Sequence, residues 1–157
     1  MTSRHAQAAK EIRQALKKIG VKAQVRAKSY TGGDSVSISA EDINPSLTAQ
    51  INEIAQRHQM GHFNGMEDIY EYSNTDGDVA QVKYVMAYTG FSLEMKQKAL
   101  DFIKSKRTSG LGLGEMPNIY TEIENYEQLQ YINKVLYGKC DYLSDLFWQS
   151  QNAAAAA

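Results

Sequence analysis

VKAQVRAKSYTGGDSVSISA, residues 21–40, is two runs of strict alternation around a Gly-Gly pair. In the first run Val21, Ala23, Val25 and Ala27 fall on one side, with Lys22, Gln24, Arg26 and Lys28 on the other. In the second, Val36, Ile38 and Ala40 alternate with Ser35, Ser37 and Ser39. Successive side chains of a strand point to opposite faces, so this pattern predicts a β-hairpin with one buried and one wet face. In the turn Tyr30-Thr31-Gly32-Gly33-Asp34, the glycines supply positive φ and Asp34 offers a carboxylate that can bond its own backbone. The wet face then carries cations on one strand and serines on the other, which suits an anion or a nucleic acid. The plainer alternative is a solvated face and two glycines kept for turn geometry.

Working outward, residues 5–19 predict a helix with the apolar stripe Ala8, Ile12, Ala15, Leu16 and Ile19, ended by Gly20. Asn44 followed by Pro45 opens a second helix, whose inner stripe is Leu47, Ile51, Ile54, Ala55 and His58. Residues 58–66 read as a loop. Asp68–Tyr72 and Val82–Tyr88 are β-prone and separated by the turn formers of residues 73–78, which predicts a second hairpin. The expected fold is therefore α+β: an antiparallel four-stranded sheet of two hairpins packed with helices, plus a C-terminal helical extension. Ser92 caps a third helix, closing an α+β domain over residues 5–106. Residues 107–118, with alternating Gly110, Gly112 and Gly114, read as a Gly-rich linker rather than a phosphate loop, because a helix precedes them and Glu115 follows. Residues 119–149 read as C-terminal helices, opened by a Thr121–Glu124 capping box. Their greasy end, Leu146-Phe147-Trp148, is expected in the core. Residues 150–157, ending in five alanines, read as a disordered tail or a cloning scar.

The charge is unevenly divided. Residues 1–30 hold eight Lys/Arg against Glu11 alone, while residues 31–157 hold nine against seventeen acids. Such asymmetry marks a face for polyanions or for an acidic partner, unless the two ends neutralise each other in the fold. One cysteine, Cys140, excludes an internal disulfide framework and points to a reducing, intracellular compartment. No apolar run approaches the ~20 residues of a membrane span, so no membrane partner is expected.

No nucleophile elbow, His-Glu-x-x-His or Cys-x-x-Cys is present, and no pair of acids is singled out by spacing. His58 and His62 are four apart, but Gly61 lies between them and no third ligand is near, so no metal and no cofactor is expected. Asn74-x-Asp76-x-Asp78 lacks the glycine and terminal Glu of a calcium loop and reads as an acidic turn. An enzyme reading, a small hydrolase or transferase around His58, His62 and Asp34, rests only on polar residues near turns; a non-enzyme is the expectation.

The chain also resembles the large polyvalent protein-associated domain family, twenty-ninth class. The similar residues are Ile12–Lys17, Val25–Tyr30 running into Gly32–Val36, and Phe63–Tyr70. The resemblance covers about residues 8–75, and the Ser-Tyr-x-Gly-Gly-Asp-Ser turn is its most specific part. It implies a small α+β unit carried by phages, prophages and plasmids, working in the cytoplasm of a bacterial host and protecting mobile DNA from host responses, with no reaction assigned. The residues carried over are Arg26, Lys28, Ser29, Tyr30, Gly32, Gly33, Asp34 and Ser35; the second half departs from the family's pattern. Three functions follow as expectations. The first is a non-enzymatic accessory protein that binds and inhibits a host defence component, its acidic C-terminal surface imitating nucleic acid. The second is a nucleic-acid-binding module using Lys22, Arg26, Lys28 and Tyr30. The third is the hydrolase or transferase. Oligomeric state is not legible.

Overall fold

The computed structural model describes residues 1–106, 126–139 and 141–156. The Gly-rich stretch, the Thr121–Glu124 box and Cys140 lie outside the described residues. The chain divides into two compact units, Met1–Gly90 and Phe91–Ala157.

The first unit is built on the hairpin. Helix α1 (Arg4–Lys18) leads into β1 (Gln24–Tyr30) and β2 (Gly33–Glu41). The two strands pair antiparallel from Gln24↔Ser39 to Tyr30↔Gly33, leaving a two-residue loop of Thr31 and Gly32. Gly32 sits at φ +91, the left-handed value the turn requires of its second loop residue. Helix α2 (Pro45–Arg57) follows, its first turn capped by the Asn44 Oδ1, which accepts from the Leu47 N–H at 2.9 Å.

Beyond α2 the structure departs from the two-hairpin expectation. The segment expected to complete a four-stranded antiparallel sheet splits between two sheets. Residues His62–Asn64 (β3) pair antiparallel with Ile69–Glu71 (β4) in a small sheet of their own. Residues Tyr84–Gly90 (β5) pair parallel with β2, from Ser35↔Tyr84 to Glu41↔Gly90, giving a three-stranded mixed sheet of order β1-β2-β5. The reason is connectivity. A helix separates β2 from β5, and a helical crossover returns the chain to the start of the sheet, where parallel pairing is open to it. Asp68–Tyr72 finds its partner locally instead: Asn64 and Gly65 open a turn in which the Met66 N–H donates to Asn64 Oδ1 at 3.0 Å and Asp68 takes φ 54. The close approach that follows demands a glycine, because a Cβ on Gly61 would lie 1.7 Å from the Glu71 carbonyl oxygen.

One face of the three-stranded sheet is buried under α1 and α2. Val36 and Ile38 are fully buried there with Ala8, Ile12 and Ile51, and Ala9, Leu16, Val21, Val25, Ala40, Ala55, Val82 and Val85 complete the cluster. Full burial of a side chain of this size stabilises by roughly 1.5–3 kcal/mol relative to exposure.

The second unit is helical: α3 (Leu93–Lys106), α4 (Tyr126–Leu136) and α5 (Asp141–Ala156). Helix α3, grouped with the sheet in the sequence reading, packs instead with α4 and α5 around Leu100, Ile103, Ile132, Leu136 and Phe147. Ser92 caps it, accepting from the Met95 N–H at 3.2 Å. Phe147 is fully buried, and the Trp148 indole N–H donates to the Leu136 carbonyl at 3.2 Å, so the greasy end belongs to this core. Helix α5 continues to Ala156 where a disordered tail was expected; alanine is the strongest helix former. Among the described residues no helix is long and apolar enough to cross a membrane.

Candidate functional site

The other face of the mixed sheet carries no helix of the first unit, and the register sorts its side chains into three columns. Across the strands, Gln24 lies beside Ser39 and Tyr88, Arg26 beside Ser37 and Met86, and Lys28 beside Ser35 and Tyr84. The β1 column is cationic and exposed, the β2 column is serine, and the β5 column is aromatic with one methionine. The strict alternation of residues 21–40 produces the first two columns directly. The third arises only because β5 docks parallel in this register.

The turn end of this face is tied down by Asp34. Its side chain is almost fully buried, and its two oxygens have different partners. Oδ2 accepts from the Arg4 guanidinium at 3.1 and 3.2 Å, and Oδ1 accepts from the backbone N–H of Lys83 at 2.9 Å. Asp34 therefore anchors the hairpin to the start of α1 and to the entry of β5, where its own turn was expected to take the bond. Charge-assisted bonds of this kind are the stronger ones.

Lys83, which sequence reasoning missed, sits at the junction. Its Nζ donates to the Gly32 carbonyl at 3.2 Å and lies 5.3 Å from the Tyr70 ring and 5.7 Å from the Tyr84 ring. Gly33 has a steric task here: a Cβ would meet Lys83 Cδ at 3.0 Å and the Tyr30 ring at 3.4 Å. Tyr30 and Lys83 thus both lie across the turn. The Tyr70 hydroxyl donates to the Lys83 carbonyl, and burial pushes its pKa above the ordinary phenol value, so it stays a neutral donor. Nothing in a strand-propensity reading marks Lys83 or Tyr70, since both enter the site through pairings distant in sequence.

Of the remaining site residues, Lys22, Arg26, Lys28 and Ser29 are exposed, while Ser35 is buried. Lys22 lies off the face, beside a hollow of about 270 Å3 between the end of α1 and the start of β1 that Arg13 and Lys17 also line. His58 and His62 are brought neither to each other nor to Asp34 by any bond. His58 is buried at the end of α2; its Nδ1–H donates to the Ala80 carbonyl at 2.8 Å, with Glu11 Oε2 at 3.8 Å. Burial raises the Glu11 pKa, but the Gln7 amide, the Ala80 N–H, His58 and Arg57 outweigh it and hold the carboxyl below its ordinary value. His62 is exposed and pairs across β3–β4 with Glu71 at 3.1 Å. Among the described residues no group of three His, Cys, Asp or Glu could hold a metal ion. The Asn74–Asp78 loop folds as two successive Asx turns, the Asp76 and Asp78 N–H groups donating to Asn74 and Asp76 oxygens at 3.0 Å each.

The outer sheet face thus forms a platform of cations, hydroxyls and aromatics, with helices of the same unit packed on the reverse. The chain belongs to the family described as large polyvalent protein associated domain 29, which matches residues 3–108 and so takes in the whole platform. That membership makes it a phage- or prophage-associated protein. No curated protein and no solved structure matches the chain.

Proposed function

We propose that the first unit is a nucleic-acid-binding module and that the outer face of the β1-β2-β5 sheet is its binding surface. The observation that carries this reading is the column order of that face, with Arg26 and Lys28 two strands away from Tyr84, Met86 and Tyr88. Cations at one side meet phosphates, while aromatic side chains at the other offer flat surfaces to bases. The serines between them are small enough to let a ligand approach the backbone. A balanced charge fits: residues 1–90 hold ten Lys/Arg and ten Asp/Glu, so attraction is local to one side and not a property of the whole unit. The test is electrophoretic mobility or anisotropy with short nucleic acids across a salt series. Binding that weakens with salt, and is lost in the Arg26→Glu, Lys28→Glu double variant, supports the proposal. Binding that ignores both salt and that variant sinks it.

A second reading, an accessory protein that binds and inhibits a host defence component, is favoured by one observation elsewhere. The β3–β4 hairpin exposes Phe63, Met66 and Ile69 beside Glu67 and Asp68, with Met66 almost wholly solvated. Exposed apolar groups rimmed by acids suit a basic protein surface. The acid excess sits near this hairpin: residues 31–90 carry nine acids against Arg57 and Lys83, whereas residues 91–157 carry eight acids against seven cations. Under this reading nuclease-resistant capture of one host protein is abolished by Met66→Asp; capture unchanged by that substitution removes the hairpin from consideration.

A further inference from the structure

The aromatic column does not stop at the sheet. Tyr88, Met86 and Tyr84 lie along one side of β5, and the Tyr88 hydroxyl donates to Met86 Sδ at 3.2 Å. From Tyr84 the line continues onto the small hairpin: its ring meets Tyr70 edge-on at 5.4 Å, and Tyr70 meets Tyr72 at 4.8 Å. Tyr84 to Tyr88 spans about 13 Å at ~3.3 Å per strand residue, and the two ring-to-ring steps of 5.4 and 4.8 Å bring the path along the ridge to at most about 23 Å. Its two ends are its most exposed parts, Tyr72 at 69% and Tyr88 at 57%. In the middle, Lys83 holds the Tyr70 and Tyr84 rings in place from above and is itself fixed to the Gly32 carbonyl. At the Tyr88 end, a shallow hollow of about 690 Å3 is lined by Gln24, Ser39, Glu41, Tyr88 and Thr89.

We infer that the platform takes a single-stranded nucleic acid running along β5 and onto β4, with a footprint of about four nucleotides. The inference rests on the nucleic-acid reading above and adds strandedness, path and length to it. In a duplex the flat faces of the bases are covered by their neighbours, so an aromatic ridge gains nothing from it; splayed bases of a single strand stack on such a ridge whatever their sequence. The cationic column is two strand spacings away, about 10 Å from the ridge. That separation places bases over β5 and phosphates over β1. Glu41 on the rim of the hollow repels a phosphate and so turns the backbone towards Arg26 and Lys28.

The test is fluorescence anisotropy on the full chain with labelled oligo-dT and oligo-U of two, four and eight nucleotides, and with a blunt duplex of the same length as the longest. Affinity is expected to rise steeply from two to four nucleotides and to flatten beyond, with the duplex at least about tenfold weaker. Tyr72→Ala and Tyr88→Ala, both at exposed positions that leave the core untouched, are each expected to weaken single-strand binding about tenfold without changing its salt slope. A preference for dT or for U, which differ in the 2′-hydroxyl and in the C5 methyl, supports the proposal in either direction. Duplex bound as tightly as single strands, or tyrosine variants that bind like the parent, overturns the inference. If Arg26→Glu, Lys28→Glu still abolishes binding in that case, the nucleic-acid reading stands without it; no binding of any probe overturns both.

Discussion

The two faces of the β1-β2-β5 sheet share every backbone atom and one register, yet they answer to different constraints. On the inner face Val36 and Ile38 are shielded completely beneath α1 and α2. On the outer face their sequence neighbours Ser37 and Ser39 stand among cations and tyrosines with no helix of the unit above them. One residue of displacement along β2 therefore separates a position set by packing from a position free to be set by a ligand. A slip of one residue in register would exchange the two sets, which is why the buried face fixes the geometry of the exposed one.

The sharpest way to probe that contrast is a pair of adjacent substitutions. Ile38→Ala empties a fully buried site and is expected to cost about 2–5 kcal/mol in chemical denaturation, whereas Ser37→Ala is expected to stay within about 0.5 kcal/mol. Equal effects would mean the outer face is packed too. Next in size is Asp34, which belongs to the seam between the faces. Asp34→Ala leaves the Lys83 N–H without its acceptor and releases Arg4, at an expected cost of about 1–3 kcal/mol; because β5 is then less firmly registered, ligand affinity falls as well, although Asp34 points to the helix side. A stability loss with undiminished binding would show that the columns hold their order without this anchor. Smaller still is the stability effect of removing charge from β1: Arg26→Ala with Lys28→Ala is expected to move the Tm by no more than a degree or two while weakening nucleic-acid binding. The smallest effect concerns acid. Glu11 titrates below its ordinary value in the folded state, so its contribution is present above the unfolded carboxylate pKa and is lost as pH falls through the folded one. The Tm advantage of the parent over Glu11→Gln should thus be full above the ordinary carboxylate range and shrink as pH falls below it; an advantage that did not shrink on acidification would point to packing rather than charge.

How much of this was readable in the residues depends on distance along the chain. The first hairpin was legible because its strands are adjacent, its turn is marked by glycine, and alternation states which face is buried. The Asn44 cap and the stripe of α1 were legible for the same reason. The partner of Val82–Tyr88 was not, since β-propensity says that a strand forms and is silent on which strand it joins. Two local signals pointed to the outcome: the helix between β2 and β5, which favours a parallel crossover, and Asn64-Gly65 between Phe63 and Met66, which is a turn signature in its own right. Arg26, Lys28, Ser37 and Ser39 lie on the outer face as the alternation predicts, whereas Ser35 in the same column is buried. Tyr84, Met86 and Tyr88 were seen as strand residues, but their place on the same face became visible only with the β2–β5 register. Asp34 was noted for its turn; its bonds to Arg4 and Lys83 span 30 and 49 residues and leave no local trace.

The parallel pairing has a further consequence for how the chain reaches this state. Ser35 meets Tyr84 at a sequence separation of 49, whereas Tyr30 meets Gly33 at a separation of three. Closing the long loop loses more entropy before any contact repays it, so the hairpin assembles early and β5 arrives late. In the interval β2 presents an unpaired edge, complete with its serines, to whatever strand is nearest. A second nascent chain supplies the same β5 sequence, and exchange of that strand between two molecules is the misassembly this topology invites at high concentration.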